Sequence, residues 1–245
     1  MEKSDFITLA GKIFSANGLS PEKETVERLF HLTEIILEKN KVMNLTAICS
    51  EEEFISRHWA DALLAEKYVP QRTKVLDVGT GAGILAFAYA AARPDISVTA
   101  LDATAKKVNF INETAKTLGI SNIFAVSGRA EELSAKSPYR ESFDFVCARA
   151  VASMPVLCEL CLPFVKIGGT FCALKGKNAA EELASAENAV KILGGGKSDD
   201  IALSLAEFSE DREVFSDRHI ILTKKISATP KIYPRRFAQI SKNPL

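Results

Sequence analysis

Three glycines at alternate positions, Gly79, Gly81 and Gly83, follow the apolar run Val75-Leu76-Asp77-Val78 and precede an alanine-rich stretch that opens at Ile84. This order predicts a strand, a tight turn containing Thr80, and a helix. Glycines without side chains let a ligand lie against bare backbone there. Asp102 stands nineteen residues past Gly83, at the end of the apolar run Ile96–Leu101 and ahead of Ala103 and Thr104. An acidic residue at the end of a second strand is where a doubly wound fold hydrogen-bonds the ribose hydroxyls of a nucleotide-like ligand.

The glycine spacing restricts that ligand. Dinucleotide sites use G-x-G-x-x-G with a helix N-terminus aimed at a pyrophosphate. Here the spacing is G-x-G-x-G, and Ile84 occupies the place of the last dinucleotide glycine. Asp77 enters the same turn, a poor neighbour for a pyrophosphate and a good one for a cation. S-adenosyl-L-methionine has a ribose, an adenine, an ammonium and a sulfonium, and no phosphate. The D-x-G-x-G-x-G turn with a distal aspartate resembles the class I S-adenosylmethionine-dependent methyltransferases.

Further groups are expected on the same rim, because ligands of open α/β sheets lie outside the carboxyl ends of the strands. Arg129-Ala130-Glu131 follows a third strand and could read an adenine edge. Arg149 leaves a fourth strand, Phe143–Ala148, and could hold the cofactor carboxylate, polarise the substrate, or pair with Glu131. Lys175 leaves a fifth strand, and Arg218 with His219 opens the last one. Such cations suit guanine O6 or phosphates, and equally suit solvent. His58 and Asp61, one helical turn apart, read as a local hydrogen-bonded pair. No His, Cys and carboxylate grouping has metal-ligand spacing, and Cys158 and Cys161 read as buried thiols. The chain lacks both an Asn-Pro-Pro-aromatic cluster for exocyclic amines and a loop cysteine for attack on a pyrimidine. Transfer to an unprotonated ring nitrogen needs neither.

These groups must be positioned by an α/β sheet. Strands are predicted at 74–79, 97–102, 122–127, 143–148, 169–174, 212–215 and 219–224. Helices are predicted near 84–92, 104–118, 152–164 and 178–193. The last two strands lie close together with no helix between, which predicts an antiparallel final strand at the sheet edge. Ahead of the sheet, Phe6, Ala10, Ile13 and Phe14 recur at helical spacing. Ser20-Pro21-Glu22 is a helix start, and another helical stretch runs over about 51–67. The expected organisation is a helical cap over 1–66 and a Rossmann-like unit over 67–245, together one globular body.

The chain has 245 residues, 47% of them hydrophobic, enough for a sizeable core. Its longest apolar run, Ile84–Ala92, is too short to cross a bilayer. The N-terminus lacks the layout of a signal peptide, and five cysteines suit a reducing cytoplasm. Lys and Arg balance Asp and Glu at 31 each, but unevenly. Residues 1–66 hold 7 basic and 12 acidic residues, whereas 218–245 hold 7 basic residues and no acidic one. With Tyr233 and Phe237 among its cations, this tail could neutralise phosphates and stack on bases.

Several segments together resemble one family. They are Asn44-Leu45-Thr46-Ala47, Arg57-His58-x-x-Asp61-x-Leu63, the Val75–Gly83 turn, Leu101-Asp102, Gly128-Arg129-Ala130-Glu131, Ala148-Arg149-Ala150, Leu174-Lys175-Gly176, Arg218-His219, and Thr229-Pro230-x-x-Tyr233-Pro234-Arg235-Arg236 closing on Lys242-Asn243-Pro244-Leu245. The chain resembles the bacterial 16S ribosomal RNA guanine-N7 methyltransferases of the glucose-inhibited division protein B family, from about Leu29 to the C-terminus. The resemblance implies methylation of N7 of one guanine in the 530 loop of 16S RNA, whether as naked RNA, an assembly intermediate or the 30S subunit. The protein is further expected to be a cytoplasmic monomer with no membrane association. The resemblance places S-adenosyl-L-methionine on Gly79, Ile84, Asp102, Ala130, Glu131 and Arg149, and the cofactor is also expected to meet Thr80, Gly81 and Gly83 of the turn and Ala103 and Thr104 after Asp102. Arg149, Lys175 and Arg218 are the expected active-site cations. Lys175 and Arg218 would also face the RNA, with Arg235, Arg236 and Lys242 from the tail. The chain departs from the family's G-x-P-G-x-P at Ile84-Leu85-Ala86-Phe87-Ala88, where it has neither the prolines nor the second glycine. Readings without the resemblance are a methyltransferase for a small molecule or protein, a nicotinamide-dependent oxidoreductase, and a non-catalytic nucleotide-binding module.

Overall fold

A computed structural model describes residues 1–209 and 212–245. Helix α1 (Lys3–Ala16) buries Phe6, Ala10, Ile13 and Phe14, the positions whose spacing predicted it. Helix α2 (Lys23–Met43) buries Val26, Leu29, Phe30, Leu32 and Ile36. It ends at Asn44, which takes a left-handed φ of +49°, a conformation asparagine tolerates better than most residues. The stretch after Ser50 is not the plain helix expected. It starts as α3 (Glu51–Phe54), widens into a π-helical turn (Ile55–Ala60) and resumes as α4 (Asp61–Leu63). The wide turn lets Phe54, Ile55 and Trp59 all enter the core, with Trp59 Nε1 donating to Thr33 Oγ1 at 2.8 Å. π-helical turns are frequent at functional sites, and this one carries His58.

The sheet has seven strands: β1 (Lys74–Val78), β2 (Ser97–Asp102), β3 (Ile123–Ser127), β4 (Phe143–Arg149), β5 (Val165–Lys175), β6 (Gly195–Ser209) and β7 (Arg212–Lys225). Their order is β3-β2-β1-β4-β5-β7-β6. The first five run parallel, and β7 is antiparallel to both neighbours. Helices α5 (Ile84–Ala92), α6 (Ala105–Thr117), α7 (Ala130–Leu133), α8 (Met154–Cys161) and α9 (Ala179–Ile192) connect the strands, and α10 (Phe237–Lys242) follows them.

One expectation is corrected here. The segments 212–215 and 219–224 are not two strands but one, β7. That strand is antiparallel, as expected, yet it lies inside the sheet. The edge is β6, a segment not recognised as a strand because Gly195, Gly196, Asp199 and Asp200 are poor strand formers. Pairing with β7 supplies what propensity does not, and an edge tolerates the charges. Two asparagines cover the outer edges as strand mimics. Asn112 exchanges both backbone hydrogen bonds with Ala125 on β3, and Asn17 does so with Ala206 on β6.

Strand alternation sorts side chains between two apolar layers. Val75, Phe145, Cys147, Cys172, Leu174 and Ile220 face α5, α6 and the N-terminal helices, so cap and sheet share one core. Leu76, Val78, Val146, Ala148, Phe171, Ala173 and Ile221 face α8, α9 and α10. The same parity assigns the strand-end charges. Asp77, Arg149 and Arg218 turn toward the cap, whereas Lys175 turns toward α9.

Candidate functional site

The site is built where β1, β2 and β4 end. Beyond β1 the chain turns through Gly79, Gly81 and Gly83 with φ of +72°, +60° and +83°, a left-handed region that favours glycine. Bare backbone is not the whole reason for them. A Cβ on Gly79 would lie 2.6 Å from Val151 Cγ2, and one on Gly83 would lie 2.9 Å from the Phe87 ring. Those two glycines let the turn pack against its own protein, while a Cβ on Gly81 would meet nothing nearer than a carbonyl at 4.0 Å.

Asp102 ties the first turn to the second. Its Oδ2 accepts the Gly81 N–H at 3.0 Å and its Oδ1 accepts the Thr104 N–H at 2.8 Å. Each oxygen keeps a lone pair for a hydroxyl. Asp77 is buried beneath the turn, with Thr80 Oγ1 donating to it at 2.6 Å. Burial pushes its carboxyl up to about 6, against the Thr80 hydrogen bond and the positive charge of Arg149.

Three adjoining spaces open here. One of about 310 Å³ lies over the turn and is bounded by Asp77, Gly81, Ile84, Asp102, Lys107 and Arg149. A second, about 180 Å³, shares Gly79 and Asp102 with it and extends to Ala103, Ala130, Glu131 and Phe237. A cleft of about 770 Å³ shares His58, Arg149 and Ala150 with the first and extends to Lys175 and Arg218. Ala150, at the junction, holds a left-handed φ of +56° without being glycine, the kind of backbone strain found at ligand sites.

The cleft is lined by compensated charge. Asp61 on α4 accepts Arg149 Nη1 at 2.8 Å and Arg218 Nε at 2.7 Å. Arg218 Nη2 also reaches Glu207 at 3.0 Å, and Glu207 accepts Arg57 Nε at 2.7 Å. Arg149 therefore pairs with Asp61 and not with Glu131, and His58 is not Asp61's partner. Instead His58 Nε2 lies 2.8 Å from Thr46 Oγ1. Thr46 is fixed by Asn40, whose Oδ1 accepts the Leu45 and Thr46 N–H groups. Burial, then the charge of Arg149, pulls the His58 imidazole down to about 4, with Asp61 opposing. His58 is neutral at physiological pH. Lys175 Nζ donates to the Ala152 carbonyl at 2.6 Å and to Glu182 Oε2 at 2.7 Å, and so holds the loop after β4.

The expected residues divide three ways. Gly79, Thr80, Gly81, Ile84, Asp102, Ala103, Ala130, Glu131 and Arg149 bound the two smaller spaces. Gly83 and Thr104 act from behind them, one as the N-cap of α5 and the other through its N–H on Asp102. Arg149, Lys175 and Arg218 line the cleft, but the tail cations do not. Arg235 is bound to the fully buried Glu159 through its backbone N–H at 2.7 Å, Nε at 2.9 Å and Nη2 at 2.6 Å, while Arg236 and Lys242 are exposed. Thr46, His58, Lys107 and Phe237 line the site and were not expected there. The first two stand within the motif segments, whereas nothing local marks Lys107. The thiols of Cys158 and Cys161 are buried, and burial pushes both up. Among the described residues no group of His, Cys, Asp and Glu could hold a metal ion, and no helix is long and apolar enough to cross a membrane.

A sequence model of the rRNA small subunit methyltransferase G family (GidB) matches residues 25–211. The chain belongs to this family. Two proteins named ribosomal RNA small subunit methyltransferase G are similar over nearly the whole chain. The one from Clostridium beijerinckii is 40% identical over 243 residues, 98% of this chain and 99% of its own. The one from Brevibacillus brevis is 38% identical over 236 residues, 96% and 97% of the two chains. Solved structures share the fold. The precorrin-6Y C5,15-methyltransferase of Geobacter metallireducens superimposes with a TM-score of 0.52 at 16% identity, covering 69% of this chain and 88% of its own. A SAM-dependent O-methyltransferase of Thermotoga maritima gives 0.52 at 13% identity, covering 80% and 73%. The chain is thus a methyltransferase on the class I S-adenosylmethionine-dependent fold, with a seven-stranded, mostly parallel sheet and an N-terminal helical layer. The residues present fit S-adenosylmethionine: a buried acid beneath the glycine turn and a carboxylate with spare lone pairs at the end of β2.

Proposed function

We propose that this methyltransferase modifies N7 of one guanine in the 530 loop of 16S ribosomal RNA, acting on the 30S subunit as a cytoplasmic monomer. The observation that carries this reading is the junction at Arg149, where the space over the glycine turn opens into a large cleft lined by Arg149, Lys175 and Arg218. Asp102 would take the ribose hydroxyls, Ala130 and Glu131 would border the adenine, and Asp77 would lie under the cationic end. Bound S-adenosylmethionine supplies an electrophilic methyl group.

The protein's task is then positioning. Guanine N7 has a free lone pair and no proton to lose, so no general base is required. A neutral His58 at the junction is compatible with a ring that becomes positive on methylation. Arg149, Lys175 and Arg218 would hold O6 and phosphates, exchanging contacts to Asp61 and Glu182 for contacts to RNA. Alignment of two reactants in one site can account for about 7–11 kcal/mol of barrier. The test is transfer of labelled methyl to 30S subunits that lack the modification, with the product nucleoside identified after digestion. One 7-methylguanosine in the 530 loop is the expected product. Cofactor binding without transfer to 30S, or a different methylated nucleoside, would overturn the assignment.

A further inference from the structure

We propose that the C-terminal segment is a wall of the cofactor pocket, with the Phe237 ring as the face against which the adenine stacks. This rests on reading the 180 Å³ space as the end of the pocket that takes the base. Phe237 opens α10 and bounds that space together with Asp102, Ala103 and Ala130. The Arg129 guanidinium lies 5.9 Å from the centroid of the same ring and steadies it. Phe237 is nonetheless 41% exposed, so apolar core packing does not account for its position.

The way the segment is tied down supports the assignment. Arg140 donates to the carbonyls of Thr229 at 2.7 Å and Tyr233 at 2.9 Å. Arg235 clamps Glu159, which has no solvent exposure, and Ile240 is fully buried against α8. A terminus serving only as a solvated cationic arm needs no desolvated ion pair, because its phosphate contacts are long-ranged and tolerate motion. A wall that must meet a flat ring at van der Waals distance does need one. The ion pair to α8 and the contact with Arg129 set Phe237 on the wall of the space that the loop after β3 and the end of β2 also bound. An aromatic face there favours a flat heteroaromatic base and adds nothing for the methionine end of the cofactor.

The experiment is calorimetric titration of the full chain, and of its Phe237→Ala and Phe237→Tyr variants, with S-adenosylhomocysteine and with adenosine. Ligand-free melting and 30S binding at several salt concentrations are measured alongside. The expected result is an affinity for both ligands about tenfold lower in Phe237→Ala and close to the parent value in Phe237→Tyr, with ligand-free melting and salt slope unchanged. Equal affinity in Phe237→Ala would overturn the proposal. So would a loss of 30S binding with cofactor affinity intact, which would return the ring to RNA. If the unsubstituted protein bound neither ligand, the methyl-transfer reading and this one would both fall. Cofactor binding without RNA methylation would remove only the former.

Discussion

Replacing Asp77 by asparagine should stabilise the ligand-free protein while weakening its cofactor site. The buried carboxyl has its pKa pushed from 3.8 to about 6, so the folded protein holds that proton more tightly than the unfolded chain. Well below pH 3.8 both states are protonated and the site costs nothing. Above pH 6 both are ionised, and the folded state bears the whole desolvation penalty. At 1.36 kcal/mol per pKa unit this is about 3 kcal/mol at pH 7.5. It shrinks to about 1 kcal/mol at pH 4.5, where the unfolded chain is ionised and the folded site is not. Asparagine keeps an oxygen for the Thr80 hydroxyl at 2.6 Å and removes the charge. Asp77→Asn should therefore melt about 6–12 °C higher than the parent at pH 7.5 and only slightly higher at pH 4.5. Its affinity for S-adenosylmethionine should fall, since a cationic ligand loses its counter-charge. Thermal melts without cofactor at the two pH values, followed by calorimetry with cofactor, make the check. A gain that does not change with pH, or a variant less stable than the parent at pH 7.5, would refute the electrostatic reasoning.

The same variant should expose a second titration. The folded-state pKa of His58 is depressed from 6.5 to about 4, so its contribution is fully present above pH 6.5 and is lost as pH falls through 4. In the parent, Asp77 opposes that slope over nearly the same range. In Asp77→Asn, stability should drop by about 3 kcal/mol between pH 6.5 and 4, and a flat profile in urea titrations would contradict the assignment. Arg235→Ala leaves the buried Glu159, among the described residues, with only the backbone N–H of residue 235 as partner. It should cost about 3 kcal/mol in denaturant unfolding, the low end for a buried pair because Arg235 keeps some solvent contact, and a loss below about 0.5 kcal/mol would show that the clamp is idle. Arg236→Ala combined with Lys242→Ala removes two exposed cations. Stability should be unchanged, while the slope of log affinity for 30S against log salt falls by about 1.4. An unchanged slope would take both residues off the RNA surface.

The sequence by itself determined the layout of the parallel half. The turn after β1, the acid at the end of β2 and the bounds of α5 follow from local rules: short apolar runs that stop at turn residues, glycine at positive φ, and an alanine-rich run of high helix propensity. Those signals are written within a few residues of the elements they specify. That Asp77, Arg149 and Arg218 share a face was decided by the folded sheet, because β1 and β4 are buried on both sides and their alternation alone marks neither face. The partners of these charges were not legible. Arg149 meets Asp61 from 88 residues away, Arg218 meets it from 157, and Arg235 meets Glu159 from 76. An arginine's length and charge are compatible with any acid or phosphate within reach, and only the packed fold decides which one arrives. The edge strand β6 was hidden for a related reason, because β7 supplies the pairing that its glycines and aspartates do not favour. The tail shows the contrast most clearly. Its composition announces affinity for polyanions, yet the tertiary structure draws Arg235 onto a buried carboxylate and Phe237 onto the rim of a pocket. Desolvation rewards an exact partner, and composition carries no record of which partner burial will supply.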